Sequence, residues 1–410
     1  MKIILISQYY WPESFGAGVW HAELAERLAK QGHDVTVITG FPNYPDGVVF
    51  PEYRGRRLQR EEHNGVRIIR TWLHATPRTK SLWQRVLSQA SFSVSLLLGI
   101  FLAPRADVVW YESPPLPGTI TSWTLARLHG ARFALTLADL EPERSVALGL
   151  FKNHLLVRML ESIERFAYRH ADRICILSEG TKQRLVARGV SADKIRVTPN
   201  WADGNLIVPL PQEASLRAEL GVNGEFVVLY SGNMGYTMGD LETVVDAARM
   251  LSTEKGIRFL LAGDGVRRDA VQRRAQGLPN VTFLPIQPRD RFARLLATGD
   301  VGLVLLCAEG TYASVPSKTY SIMASGRPII AVCEPDNDTA RVVHAAGCGE
   351  LVVPGDATHL ADVIQSYFQR RERAKEEGKN ARAYFDQHYC AEVGISNYER
   401  VFSEIAASTR

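Results

Sequence analysis

Cysteine is scarce in this 410-residue chain and nowhere paired. Cys175, Cys307, Cys333, Cys348 and Cys390 are odd in number, scattered, and form no C-x-x-C motif. That pattern argues against a disulfide framework or a cysteine zinc site and for free thiols in a reducing cytoplasm. An excess of one charge is missing too: 48 basic residues face 44 acidic ones, and a net +4 is too small to argue for nucleic acid. No G-x4-G-K-[ST], H-E-x-x-H or G-x-S-x-G pattern occurs, which weakens NTPase, metalloprotease and α/β-hydrolase readings. Long apolar runs are also rare. Ile3 to Ile6 is too short for a signal-peptide core and fits a first buried strand. Val86 to Ala103 is the one membrane candidate, but Gln89 and Ser88, Ser91, Ser93 and Ser95 interrupt its first half. It is marginal for a span of about 20 residues. Arg54, Arg56, Arg57, Arg60, Arg67, Arg70, Arg78, Lys80 and Arg85 crowd the region before that apolar stretch, and Arg105 follows it. This suits a helix dipping into an anionic leaflet; a helix buried against a sheet is the other reading.

What is present is a soluble globular composition, 46% apolar and 22% charged. The length calls for two domains of about 200 residues each. Short apolar strands alternate with helices in both halves. In the first, Ile3–Ile6, Val35–Thr39, Ile68–Trp72, Val108–Trp110, Phe133–Leu137 and Ile174–Leu177 read as strands. Trp20–Gln31, Gly118–Leu128 and Leu155–His170 read as helices. After Pro199–Asp203 breaks the pattern, Phe226–Tyr230, Phe259–Ala262, Val281–Leu284, Val301–Leu305, Ile329–Val332 and Leu351–Val353 continue it. The pattern predicts an α/β fold of two Rossmann-like, doubly wound parallel-sheet domains facing a central cleft. We place them at 1–205 and 206–380, with a helical segment 381–410 returning toward the first.

The stretch from Ser314 to Val332 is the most informative. Pro316 starts a helix, Gly326 and Pro328 end it, and Ser317 and Lys318 surround its N-terminus, where free N–H groups and the dipole suit a diphosphate. Gly16 and Gly18, after the first strand, allow close backbone approach of a ligand. The full G-x-G-x-x-G fingerprint is absent, since Trp20 and His21 follow Gly18, so a dinucleotide cofactor is not expected. Gly232, Asn233 and Gly235 form the equivalent turn in the second half, and Gly263-Asp264-Gly265 another. The proline-bracketed loop after Val281–Leu284 puts the Ile286 backbone where a nucleobase edge could be read. Asp336-Asn-Asp338 has the form of a D-x-D metal motif, but Asp338 is expected to cap the helix starting at Thr339; no metal is expected. Among Glu112, Asp139, Glu141, Glu143 and Glu309, Asp139 is the better candidate for activating an acceptor or binding sugar.

Taken in order, these pieces resemble the retaining GT-B glycosyltransferases of the glycogen-synthase-like class, glycosyltransferase family 4, over essentially the whole chain. Ser7-Gln-Tyr-Tyr-Trp-Pro12, Val197-Thr-Pro-Asn-Trp-Ala-Asp203, Tyr230-Ser-Gly-Asn233, Pro316-Ser-Lys318 and Ala324-Ser-Gly-Arg-Pro328 carry the likeness. Asp139-Leu-Glu-Pro-Glu143 with Ala147-Leu-Gly149 looks like the subgroup that builds colanic-acid-type exopolysaccharides. The resemblance implies metal-independent transfer, with retained configuration, from a nucleoside diphosphate sugar, UDP favoured over GDP. The acceptor would be a saccharide or lipid-linked saccharide, in the cytoplasm or at the inner face of its membrane, with Val86–Ala103 touching lipid. No cofactor is implied. Two departures stand out. Where the class carries two glutamates eight residues apart, this chain has Ala313 and Ser321, and Glu309 lies four residues upstream as the nearest stand-in. Where the class places an arginine and a lysine after Gly232, Asn233 to Asp240 holds no positive charge, which leaves Lys318 as the diphosphate partner. Two alternatives remain open: a GT-B nucleotide-sugar 2-epimerase, and a non-catalytic subunit that only binds sugar nucleotide.

Overall fold

The computed structural model describes residues 1–13, 16–76, 82–147, 153–235, 240–306 and 315–408. They divide into two compact units, Met1–Pro199 with Ile395–Arg410, and Asn200–Gly394. The sequence reading put these junctions at 205/206 and 380/381. The helical segment expected from Ala381 onward consists of two helices, Arg371–His388 and Ala391–Ala407. The former stays with the second unit because Arg382 donates to the carbonyls of Ile207 and Ala324, at 3.0 and 2.8 Å.

In the first unit the strands are β1 (Lys2–Ser7), β2 (Asp34–Gly40), β3 (Leu58–His63), β4 (Val66–Thr71), β5 (Val108–Ser113), β6 (Arg132–Leu137), β7 (Arg173–Ile176) and β8 (Ile195–Val197). They lie in the order β3-β4-β2-β1-β5-β6-β7-β8. Every pair is parallel except β3 with β4, so the sheet is mixed rather than purely parallel. The sequence pattern missed β3 because its Leu-Gln-Arg-Glu-Glu-His is polar. It is an edge strand with only half its residues partly covered. Three helices matter below: α1 (Ala17–Lys30), α2 (Leu82–Leu102) and α3 (Gly118–His129). The helix Ala391–Ala407 closes this unit through Tyr398, edge-on to Trp110 at 5.9 Å, and through Glu399, 3.1 Å from His33.

The second unit is wholly parallel. Its strands β9 (Phe226–Ser231), β10 (Ile257–Ala262), β11 (Val281–Leu284), β12 (Val301–Leu305), β13 (Ile329–Val332) and β14 (Gly349–Val352) lie in the order β11-β10-β9-β12-β13-β14. Phe226, Val228, Tyr230, Phe259, Leu261, Leu303 and Ile330 bury one face of this sheet and Val227, Leu229, Leu260, Val304 and Ile329 the other. Strands covered on both faces read as continuous apolar runs, which is why all six were visible in the sequence.

Each sheet reverses its winding order once, between β1 and β5 in the first unit and between β9 and β12 in the second. Ligands of open α/β sheets settle beyond the carboxyl ends of the strands at such a point. Ser7 and Glu112 stand there in one unit, Ser231 and Leu305 in the other.

Candidate functional site

At the second unit's reversal point, two glycine turns interlock. Gly232 N–H donates to Ala262 O at 3.0 Å, and Met234 N–H donates to Asp264 O at 2.8 Å. A side chain at Gly263 would drive into the Gly232 carbonyl, so the sequence Gly263-Asp264-Gly265 is needed for the two loops to touch. The Tyr230 hydroxyl donates to the Asn233 carbonyl at 2.7 Å and steadies the same turn.

Lys318 reaches this turn from the first residues of the helix Ser317–Ala324. Its Nζ sits 4.1 Å from the centre of the Tyr230 ring, and a Cβ at Gly232 would stand only 2.6 Å from it. Gly232 thus makes the space that the amine fills. The amine is shut off from solvent and has no hydrogen-bond partner among the described residues. Burial pulls its pKa down to about 7. Pro316 occupies the N-cap, and no side chain caps the helix. A buried unpartnered amine, backbone turns and a helix N-terminus together make an anion receptor.

The other predicted residues are placed as follows. Ser317 is exposed at the first helical position, and the Ser321 hydroxyl donates back to its carbonyl at 3.4 Å. Asn233 and Gly235 lie in the turn itself. Ile286 is exposed in the loop after β11. Glu309 falls outside the described residues, as do Cys307 and Ala313. Asp338 does not cap its helix. Asn337 does, its side chain accepting from Thr339 N–H at 2.7 Å, while Asp338 is buried and paired with Arg341 at 3.0 Å. The helix begins at Asp338 itself, so the capping position, whose side chain accepts from the first turn, falls to Asn337.

Gly16, Gly18 and Asp139 belong to the first unit. Asp139 is half-buried beyond the end of β6. Glu143 is committed to Arg184 and Arg188 and is not available to a substrate. Gly16 is the N-cap of α1, and Gly18 is closed off by Glu13, whose Oε2 would be 3.2 Å from a Cβ there. Arg70, counted above among the basic residues, is fully buried instead: it pairs with Glu61 and donates to Trp11 O at 2.6 Å.

Sequence reasoning missed the polar cluster this loop makes. Glu13 is buried, and its Oε1 accepts from the N–H groups of Asn43 at 2.8 Å and Tyr44 at 2.9 Å. Burial outweighs those bonds and lifts its pKa to about 7. His21 is buried on α1 with Nε2 2.9 Å from Glu112, and with Nδ1 2.7 Å from Ser7 Oγ and 3.1 Å from Tyr9 O. Desolvation lowers the His21 pKa, but the Glu112 carboxylate outweighs it and the net shift is upward. The signal was legible: His21 interrupts the buried stripe His21, Leu24, Ala25, Leu28, and a histidine in such a stripe needs a partner. The raised Glu13 pKa has a testable consequence. A carboxyl whose folded pKa exceeds its unfolded value contributes stability below about pH 4.5, and that contribution is lost as pH rises through about 7. Glu13→Gln is expected to flatten the fall in melting temperature of this unit across that window. An identical pH profile for the variant would remove Glu13 as its source.

Residues 15–201 match the family described as glycosyl transferase 4-like domain, and residues 225–370 match glycosyl transferases group 1. The sequence is 32% identical over 347 residues to the Escherichia coli (strain K12) protein assigned to colanic acid biosynthesis as glycosyl transferase WcaI, covering 82% of this chain and 84% of that one. Sucrose-phosphate synthase from Thermosynechococcus elongatus superimposes with a TM-score of 0.75 at 22% identity, over 100% of both chains. Anabaena HepE in complex with UDP does so with a TM-score of 0.72 at 17% identity, over 98% of this chain and 100% of that one. The fold is therefore that of the GT-B glycosyltransferases. The chain belongs to the glycosyl transferase family whose 4-like and group 1 domains it carries in tandem, and it is a glycosyltransferase.

Proposed function

We propose that the second unit binds a nucleoside diphosphate sugar, UDP in preference to GDP, and that the enzyme transfers the sugar with retention of configuration in polysaccharide synthesis. One observation carries this reading: the sequestered Lys318 amine wedged between the Gly232 turn and a helix N-terminus at the sheet's reversal point. In the reaction the bond from the sugar's anomeric carbon to the diphosphate breaks, and an acceptor hydroxyl bonds to that carbon on the same face. The hydroxyl proton passes to the departing diphosphate oxygen. Lys318 and the helix N–H groups take up the charge that develops there, and this contact needs no metal. That Anabaena HepE holds UDP supports the choice of base. The likeness to WcaI supports a polysaccharide pathway. The acceptor in this reading is a saccharide or lipid-linked saccharide. Asp139 is proposed to activate or position the acceptor.

Ala313 and Ser321, standing where the class has glutamates, favour one competing reading, a subunit that binds donor without transferring it. Thermal shift with UDP and GDP, with and without magnesium, tests the donor site. At 100 times its Kd a ligand adds roughly 2.7 kcal/mol. Selective stabilisation by UDP, undiminished by EDTA, is expected; no response to either nucleotide would end the donor assignment.

A further inference from the structure

We propose that the outward face of α2, together with the adjoining end of α3, docks on an anionic lipid bilayer and lies in its interface. This extends the lipid-linked acceptor reading, but it stands on its own observations.

The helix α2 has two apolar faces with different fates. Phe92, Leu96 and Ile100 are buried, in one core with Ile38 and Ile69 of the sheet. On the other side Trp83 is 71% exposed, Val94 66% and Phe101 86%, with Leu87, Leu97 and Leu98 about half exposed between them. At 3.6 residues per turn these six side chains fall within an arc of about 100° along the whole helix. The sequence posed burial and membrane contact as alternatives; the structure buries one face and leaves the other exposed. α3 lies beside α2, tied to it by a hydrogen bond from Thr121 Oγ1 to Ser93 O at 3.1 Å. Leu128, 67% exposed, stands about two turns past Thr121 on α3, as Phe101 stands about two turns past Ser93 on α2.

The charge around this stripe selects its occupant. No aspartate or glutamate occurs between Glu62 and Asp107, and none in α3. Arg105 and Arg127 are exposed where the two helices end. Just beyond, a cavity of ≈ 400 Å³ is lined by Lys2, Arg105, His129 and Arg132. Asp107, also lining it, accepts from the Lys2 backbone N–H, and Arg132 is shared with Asp172. Apolar side chains on two helices that carry no carboxylate, flanked by Arg105 and Arg127, match the acyl chains and phosphates of an anionic leaflet. A second protein would have to present an acidic rim as well as an apolar centre. Among the described residues no helix is long and apolar enough to cross a membrane, so the contact is interfacial.

The test is co-sedimentation of the full chain with vesicles of phosphatidylcholine alone or mixed equally with phosphatidylglycerol. Binding to the mixed vesicles, weakened by salt, is expected, with little to phosphatidylcholine alone. Val94→Ser with Phe101→Ser should abolish it. Arg105→Glu with Arg127→Glu should weaken it at least roughly 25-fold, about fivefold for each arginine lost. Because all four side chains are exposed, both variants should melt like wild type and keep the same UDP-induced shift, which separates this proposal from the donor assignment. Equal binding to both vesicles, or none, overturns it. So does a wild-type dimer that Phe101→Ser converts to monomer without vesicle binding, since a second copy would then cover the face.

Discussion

Lys318→Met is expected to lower kcat for sugar transfer by about 100-fold or more, the scale on which loss of one preorganised donor to a developing negative charge is felt. The amine has no hydrogen-bond partner among the described residues, so its binding energy is unused until a diphosphate arrives. Its contact with the diphosphate strengthens as the glycosidic bond breaks, and such interactions raise kcat rather than only tightening donor binding. The same change should leave the free protein at least as stable as wild type. A lysine whose folded pKa is depressed to about 7 contributes stability above its unfolded value of 10.5, and this is lost as pH falls through about 7. Near neutrality the buried amine is therefore a liability, and methionine of similar length removes it. Activity lost with stability kept or raised marks a functional lysine; loss of both would assign it to packing. An unchanged kcat would sink its catalytic assignment. Gly232→Ala, which puts a methyl where the amine sits, should reproduce much of the kinetic defect.

UDP affinity is expected to weaken about tenfold for each pH unit above about 7, with a slope that Lys318→Met abolishes. The cause is the low pKa of Lys318 in the free protein, about 7, produced by burial. Beside a diphosphate the ammonium form is favoured again, so binding above that pH takes up one proton. UDP itself is fully ionised above about pH 7 and adds no slope of its own. Calorimetry in two buffers of different ionisation enthalpy would read this directly: near pH 8.5, proton uptake should approach one per UDP bound. Binding heats that do not depend on the buffer would show that Lys318 keeps its charge state or does not meet the nucleotide.

The architecture was largely legible in the sequence because strands buried on both faces announce themselves as short apolar runs between amphipathic helices. β9 to β14 all appeared within a residue or two of their bounds, and the Gly326 helix stop was plain. The polar edge strand β3 was not, since an edge needs no apolar pattern to pair. The break within the terminal helical segment was not legible, because nothing around Tyr389 and Cys390 ends a helix by its own propensity. The break follows from tertiary contacts, Tyr389 O accepting from Ala202 N–H at 3.2 Å.

For the site, residues that work through backbone geometry could be read directly. Gly232, Gly263, Pro316 and Lys318 stand in strand–turn–helix units whose conformation is local, so their place at turns and at a helix start followed from their order along the chain. By itself the sequence determined the two α/β domains, the glycosyltransferase likeness and the glycine turn and lysine-bearing helix start proposed to hold a diphosphate. Only the tertiary structure decided that Lys318, 86 residues from Gly232, would be stripped of solvent beside it, that Glu13 and His21 would meet buried partners, and that α2 would expose one apolar face while burying the other. Burial, pKa and exposure depend on what folds against a side chain from distant parts of the chain, and no local pattern carries that information.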